Sequence, residues 1–261
     1  MSVAKKLISK LLSRFGLKLI RLRELQNSVM QFQEVFDGSD ALEACWERSM
    51  QTKDSLYNLW EVGSYLHANQ IEGDYVECGV WRGASMQLLA RQIVEQNLST
   101  KTMWLYDTFS GMTQPTQADK RIKDGRSAVD LSWDASKLGD DIAYMSGVHA
   151  FATLNDVKDG FSQMGLDLQN LKFIIGDVLE TIPGESPKKI SLLRIDTDWY
   201  ESTNHILVNL YPRVAKGGVV ILDDYDYWSG ARQAADEFFL SHQIRPLLIR
   251  QTGGGRVFIK T

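Results

Sequence analysis

Cysteine is scarce in this sequence, and no apolar run is long. The 261 residues include two cysteines, Cys45 and Cys78, which cannot form a disulfide framework and show no zinc-binding spacing. No stretch reaches the roughly 18 uninterrupted apolar residues of a membrane-spanning helix. The N-terminus also lacks the apolar segment and cleavage site of a signal peptide. We therefore expect a soluble, cytoplasmic protein with reduced thiols.

Neither sign of charge is in large excess, since the net charge is −4. This balance gives no general reason to expect nucleic acid as a partner. The hydrophobic content of 44%, with seven Trp and ten Phe, is enough to bury a core and argues against disorder. We expect one large domain, or one domain with an appendage.

The first 25 residues form a basic leader, in which seven Lys and Arg residues alternate with apolar ones. This pattern predicts an amphipathic helix with a basic face. Two roles are open: peripheral contact with anionic lipid at the inner membrane face, or packing on the body of the protein or on a second subunit. Residues 26–68 also have helical periodicity. We therefore predict an N-terminal helical extension over residues 1–72.

From Gly73 onward, short β-rich runs alternate with helical stretches. Continuous apolar runs are typical of parallel strands that are covered on both faces, and Thr252-Gly253-Gly254-Gly255 joins the last two runs as a hairpin. We predict a doubly wound α/β fold over residues 73–261, with a seven-stranded, mostly parallel sheet that ends in an antiparallel hairpin. The predicted strands are 75–80, 103–106, 171–175, 190–195, 218–222, 246–250 and 256–259, and the predicted helices between them are 83–96, 153–164, 201–214 and 231–242.

Residues 113–150 fit no strand and are rich in Asp, Lys, Ser and Gly. A connection of this length within a domain is usually functional. We predict a lid-like insertion over the carboxyl edge of the sheet, with a short helix near residues 136–145.

Three turns at the carboxyl ends of predicted strands have residues suited to a nucleoside ligand. In the first turn, an acid and two glycines precede a helix without the GxGxxG spacing of a diphosphate site, which favours S-adenosylmethionine over NAD. An acid after the second strand could bind ribose hydroxyls, and one after the third could bind adenine. The alternatives are an ordinary strand–helix turn, a turn-forming Asp and a helix cap. The candidate cofactor-binding residues are Glu77, Gly79, Gly83, Ser85, Asp107, Ser110, Asp177 and Val178.

Two further strand ends contribute a group of aspartates. Asp196 and Asp198 follow one strand, and Asp223 and Asp224 follow the next. If these strands are neighbours, the carboxylates repel one another unless a hard cation such as Mg²⁺ or Mn²⁺ lies between them. We predict that Asp196, Asp223 and Asp224 bind this metal. The alternative is a set of solvent-facing turn and cap aspartates.

Such a site suits methyl transfer to an alcohol, because an alcohol is a poor nucleophile near neutral pH. A cation can hold and acidify the hydroxyl while a carboxylate accepts its proton. Asp196 and Asp198 are the predicted catalytic residues, with Asp198 as general base. His149 and His205 are the fallback bases.

Several motifs together resemble the macrocin O-methyltransferase (TylF-type) family. They are ECGVWRG at 77–83, DTFSGM at 107–112, LRIDTDWYEST at 193–203, LYPR at 210–213, DDY at 223–225 and WSGAR at 228–232. The resemblance implies a class I methyltransferase fold and Mg²⁺-dependent O-methylation of a sugar hydroxyl, on a glycoside natural product or a glycan. It places Asp196, Asp223 and Asp224 at metal positions, Asp198 at the base, and Glu77 and Asp107 at cofactor positions. It also implies a homo-oligomer.

One departure from the family pattern is Asp226-Tyr227 after the DDY motif, which we expect to affect the acceptor side. Two other functions were weighed. A nucleotide- or NAD-binding enzyme that acts on sugars would need a glycine-rich diphosphate turn. A non-enzymatic glycan- or nucleotide-binding module would have no use for four clustered aspartates.

Overall fold

A computed structural model of the chain describes residues 39–98, 101–136 and 150–261, of which Ala41–Thr261 form one compact unit. The basic leader at residues 1–25 lies outside the described residues, as does nearly all of the helix expected at 136–145. No helix in the described ranges has the length and apolar content needed to cross a membrane.

The described strands form one sheet. In the order β3-β2-β1-β4-β5-β7-β6, the first five strands are parallel, and β7 is antiparallel to both β5 and β6. The predicted mostly parallel sheet with a terminal hairpin is therefore confirmed. The strands are β1 (Asp74–Cys78), β2 (Met103–Asp107), β3 (Leu171–Ile175), β4 (Ile190–Ile195), β5 (Val214–Leu222), β6 (Ile249–Arg250) and β7 (Arg256–Ile259).

The strand order reverses between β1 and β4, because the chain runs outward from β1 to β3 and then returns. In open α/β sheets, ligands bind at the carboxyl ends of strands beside such a reversal. The centre of the sheet is apolar: Val76, Leu193 and Val220 lie on adjacent strands and are fully buried. Burial of each such side chain contributes about 1.5–3 kcal/mol.

Helices lie around this sheet. The two that precede it, α1 (Ser39–Trp46) and α2 (Lys53–Ala68), lie within the predicted helical extension. The others are α3 (Ala84–Glu95), α4 (Ala128–Ser136), α5 (Leu154–Gln163), α6 (Val178–Thr181), α7 (Tyr200–Leu210) and α8 (Ser229–Ser241).

Helix α2 packs closely against α3. The side-chain amide (Nε2) of Gln92 donates hydrogen bonds to the Trp60 carbonyl and to the Ser64 hydroxyl, both at 2.9 Å. A Cβ atom at Gly63 would lie 2.0 Å from Gln92 Oε1, so a larger residue there would displace the Gln92 side chain from these two hydrogen bonds. Helix α2 therefore belongs to the same compact unit as the sheet.

Three elements have boundaries that differ by several residues from the sequence prediction. The helix expected over 201–214 ends at Leu210, and a 3₁₀ turn, Tyr211–Arg213, follows it, because Pro212 has no N–H with which to continue the ladder. Strand β5 then begins at Val214 rather than at residue 218. Strand β6 keeps only Ile249–Arg250 of the run expected at 246–250.

The first part of the insertion, residues 113–136, is bound to the body of the protein. Lys120 pairs with Ser127 and Arg121 pairs with Trp228 in isolated β-bridges. The Ser229 hydroxyl donates to the Ala118 carbonyl at 2.8 Å and accepts from the Lys120 amide at 3.0 Å. This part of the insertion therefore forms a wall beside α8, and it contains a helix, α4, that the sequence pattern did not predict.

Candidate active site

A cavity of about 340 Å³ opens at the carboxyl edge of the sheet. The turns after β1, β2, β3, β4 and β5 all contribute to its lining. Residues just before and within the start of α2 and the turn between β6 and β7 close one side. The predicted site residues that line it are Gly79, Ser85, Asp107, Asp177, Val178, Asp196, Asp198, Asp223 and Asp224.

The turn after β1 is shaped by two glycines in the left-handed region. Gly79 has φ +84°, and a Cβ atom there would lie 1.8 Å from the Asp196 carbonyl oxygen. The β1 turn and the end of β4 therefore touch through their backbones. Gly83, with φ +79°, precedes the first residue of α3. Between them, Trp81 also has a positive φ of 47°. This conformation is unfavourable for a bulky residue, and such backbone strain is found mainly at functional sites.

Asp107 holds this turn in place from the end of β2. Its Oδ2 accepts from the amides of Val80 at 2.6 Å and Trp81 at 3.1 Å, and its Oδ1 accepts from the Phe109 amide at 2.8 Å. The same carboxylate lines the cavity. It therefore braces the first turn and also faces the space where we expected a ribose.

Asp177 caps a short helix, which is the structural role named for it as an alternative, and it also faces the cavity. Its Oδ1 caps α6 by accepting from the Leu179 amide at 2.9 Å, and it lines the cavity together with Val178. Ser85 also lines the cavity, and its hydroxyl accepts a hydrogen bond from the side-chain amide (Nε2) of Gln51 at 2.8 Å.

Three predicted cofactor residues, Glu77, Gly83 and Ser110, are absent from the described lining of the cavity. Ser110 is exposed. Glu77 is buried behind the cavity wall, where its Oε1 accepts from Arg194 Nη1 at 2.8 Å. The observed partner of Glu77 is thus Arg194, and a contact of Glu77 with the donor's amino group stays a prediction. Burial raises the pKa of Glu77 to about 7, although Arg194 opposes the shift.

The carboxylates of Asp196, Asp223 and Asp224 converge in the cavity, as predicted from the two strand ends. Each offers one oxygen, and these three atoms all lie within 4.8 Å of one another. Burial and neighbouring carboxylates, Asp223 among them, raise the pKa of Asp196 and of Asp224 well above the usual range. The cluster therefore holds more negative charge than its surroundings compensate.

Arg194 is the main residue of the site that sequence reasoning missed. Its guanidinium is buried beneath the cluster and pairs with Glu77, with Asp196 Oδ2 at 2.7 Å and with Asp223 Oδ1 at 2.8 Å. The sequence did contain an indication of this role. Residues two apart in a strand face the same side, so the side chain of Arg194 lies on the same side as that of Asp196.

Asp198 stands beside the three converging carboxylates in a strained conformation, with φ +63°. Its Oδ1 accepts from the indole N–H of Trp228 at 2.8 Å, and its amide donates to Asp224 Oδ2 at 3.0 Å. Burial is the main reason that the pKa of Asp198 rises to about 7; the Trp228 bond opposes the rise. A carboxylate with such a pKa suits general-base chemistry near neutrality.

An aromatic wall fixes this part of the site. Trp199 and Trp228 meet edge to face at 5.1 Å between ring centroids, and the Trp199 indole donates to the Thr113 carbonyl at 3.0 Å. Asp119, a buried residue that we did not predict, accepts from the Tyr200 amide at 2.8 Å and so caps α7. The insertion is thereby tied to the turn that presents Asp198.

The two fallback bases do not enter this arrangement. His205 Nε2 lies 2.8 Å from the Ile182 carbonyl oxygen and is not among the described cavity residues. His149 lies outside the residues that the structure describes.

The unusual Asp226 points away from the cavity lining. Its carboxylate pairs with Arg232, Arg250 and Arg256, and its amide donates to the Gly254 carbonyl at 2.8 Å. Asp226 therefore anchors the β6–β7 turn, whereas the next residue, Tyr227, lines the cavity.

Strand order, cavity position and the acidic cluster define a methyltransferase-type α/β domain. The family model for macrocin-O-methyltransferase (TylF) matches residues 20–255. The chain belongs to this family, which confirms the resemblance noted in its motifs.

Two curated relatives are O-methyltransferases by name. The chain is 33% identical over 170 residues to the 8-demethyl-8-(2,3-dimethoxy-alpha-L-rhamnosyl)-tetracenomycin-C 4'-O-methyltransferase of Streptomyces olivaceus, a match that covers 65% of this chain and 59% of that relative. It is 29% identical over 194 residues to the demethyldecarbamoylnovobiocin O-methyltransferase of Streptomyces niveus, covering 74% of this chain and 68% of that one. The first match thus spans under two thirds of the relative's length.

Solved structures share the fold. The O-methyltransferase NovP superimposes with a TM-score of 0.69 at 27% identity, over 82% of each chain. The calicheamicin methyltransferase CalS11 does so with a TM-score of 0.53 at 20% identity, over 99% of this chain and 93% of that one. The second likeness concerns the fold alone.

Proposed function

We propose that this protein transfers a methyl group from S-adenosylmethionine to a sugar hydroxyl, with the help of a divalent cation. The observation that carries the proposal is that Asp196, Asp223 and Asp224 converge within 4.8 Å in the same cavity as the turns after β1, β2 and β3. A cavity of about 340 Å³ is within the usual size of small-molecule sites.

The cation site fits the residues present. Three carboxylate oxygens within 4.8 Å of one another are the hard ligands that Mg²⁺ and Mn²⁺ prefer. Burial raises the pKa of Asp196 and Asp224, and a cation would offset this cost of ionisation. A bound cation would also make the acceptor hydroxyl more acidic.

The turns after the first three strands support the donor assignment. Gly79 keeps the β1 turn free of a side chain where it meets β4. Asp107 and Asp177 face the cavity from the ends of β2 and β3, where ribose and adenine are expected. This part of the cavity would hold the donor with its methyl group toward the aspartates.

Asp198 would accept the acceptor's proton. A carbon–oxygen bond forms between the acceptor oxygen and the donor methyl group, the carbon–sulfur bond breaks, and the proton moves to an Asp198 carboxylate oxygen. The Trp228 indole holds Oδ1 of that carboxylate, and this fixed orientation favours in-line attack.

The sugar acceptor is proposed from the relatives. The name of the Streptomyces olivaceus relative specifies a rhamnosyl-tetracenomycin, and the family description names macrocin. In this chain, Met50, Tyr227 and Thr252 line the same cavity. These residues would contact the acceptor.

The test is methyl transfer from labelled S-adenosylmethionine to a panel of glycosides and nucleotide sugars, followed by mass spectrometry with Mg²⁺ or with EDTA. We expect a methylated product with Mg²⁺ and its loss in EDTA. Asp196→Asn should abolish turnover but leave donor binding by calorimetry unchanged, whereas the exposed Asp159→Asn should resemble the wild type. Turnover that resists EDTA would refute the metal assignment, and calorimetric binding of NAD instead of the donor would refute the reaction class.

A further inference from the structure

The acidic cluster rests on one buried guanidinium. The Arg194 side chain is 3% exposed and the Glu77 side chain beneath it is 1% exposed. Because Arg194 lies opposite Glu77 on β1 and opposite Ile221 on β5, it is placed between the strand ends that carry the candidate metal ligands.

The three contacts of Arg194 go to three different strands or strand ends. Nη1 donates to Glu77 Oε1 at 2.8 Å and to Asp196 Oδ2 at 2.7 Å, and Nη2 lies 2.8 Å from Asp223 Oδ1. Glu77 thus pairs with the guanidinium on the side away from the cavity. The guanidinium in turn binds one carboxylate oxygen of Asp196 and one of Asp223. A planar fork suits such bridging, whereas a lysine ammonium is a single point charge.

We propose that Arg194 is a positioning residue for the divalent cation: it fixes the carboxylates of Asp196 and Asp223 so that their oxygens converge with one from Asp224. This inference rests on the proposed metal-dependent function. It concerns the geometry of the ligands, since partners that orient metal ligands influence affinity strongly.

A role in charge balance alone and a role in positioning predict opposite effects of removing Arg194 on metal affinity. A positive charge beside a cation site opposes cation binding, so an Arg194 that only balanced charge would weaken metal affinity. Its removal would then tighten binding. If Arg194 orients the ligands, its removal weakens binding despite the lost repulsion.

The experiment measures Mn²⁺ affinity by electron paramagnetic resonance in the full-length protein, without acceptor. Arg194→Lys keeps the charge but not the fork, and Arg194→Met keeps neither. We expect the dissociation constant for Mn²⁺ to rise about tenfold or more in both variants. Arg213→Lys is the matched control, because Arg213 bonds Ser186 and Pro187 away from the cavity and should leave Mn²⁺ affinity unchanged.

Circular dichroism melting and calorimetry with S-adenosylmethionine establish that each variant is folded. If Arg194→Met does not fold, Arg194→Lys alone decides the question. The inference is overturned if the dissociation constant of Arg194→Lys for Mn²⁺ equals that of the wild type, or if Arg194→Met binds Mn²⁺ more tightly. Either result would leave the metal site itself intact. Absence of Mn²⁺ binding in the wild type itself overturns the proposed metal dependence, and this inference with it.

Discussion

Removal of the divalent cation should destabilise the protein in a way that depends on pH. Two unit charges no more than 4.8 Å apart repel by at least about 3.5 kcal/mol at an effective dielectric constant of about 20. The cluster has three such pairs, and the single charge of Arg194 offsets them only in part. A cation at about one hundred times its dissociation constant adds about 2.7 kcal/mol of stability. The expected rise in melting temperature is about 5–10 °C.

The sign of the pH effect follows from the raised pKa values. Burial lifts the pKa of Asp196, Asp198 and Asp224 above their unfolded values, to about 7 for Asp198. Between about pH 4 and pH 7, the metal-free folded protein therefore binds more protons than the unfolded chain, and its stability falls as the pH rises. Metal binding must displace these protons, so the Mg²⁺-induced shift should be larger at about pH 8 than at about pH 5.5.

Differential scanning fluorimetry with Mg²⁺ or EDTA at the two pH values measures this shift without any acceptor. Asp224→Asn should lose most of the Mg²⁺ response, whereas Asp159→Asn should keep it. An Mg²⁺ shift that is equal in Asp224→Asn and the wild type, or that grows as the pH is lowered, would refute the reasoning.

Three further predictions concern the residues around the cluster. Because the Trp228 indole lowers the pKa of Asp198, Trp228→Phe should move the acidic limb of the pH profile of kcat/KM upward by about one pH unit. Trp199→Phe should leave this limb in place. A Trp228→Phe profile equal to that of the wild type would contradict the prediction. Asp119→Ala leaves a helix amide uncapped and should cost about 2–4 kcal/mol in urea unfolding; a loss below the error of the measurement would contradict it. Gly79→Ala forces a Cβ atom to 1.8 Å from a carbonyl oxygen and should cost about 3 kcal/mol or more in the same assay; wild-type stability would show that the turn can relax.

The sheet and the convergence of the three aspartates could be predicted because both depend on local patterns. Apolar runs marked the parallel strands, and the acids came directly after those runs. Since the carboxyl ends of neighbouring parallel strands meet at one edge, Asp196, Asp223 and Asp224 were expected together, and the structure brings them together.

The missed features depend on partners that are distant in sequence. Arg194 looked like one polar residue in a buried strand, and its contact with Glu77 spans 117 positions. The contact of Trp228 with Asp198 spans 30 positions, and Asp119 reaches Tyr200 across 81. No spacing rule predicts such pairs, because they follow from the packing of the strands and of the insertion. Element ends shifted for local reasons, as at Pro212.

The wall that closes one side of the cavity joins the two ends of the described chain. The Ser55 hydroxyl at the start of α2 bonds the carbonyl of Thr252 in the last hairpin, 197 positions away, and both residues line the cavity. A truncated protein that begins at Gly73, where the sequence texture changes, would retain every aspartate of the cluster. Its cavity would nevertheless stand open to solvent on that side, and water could then compete with the proposed sugar acceptor for the space beside the aspartates.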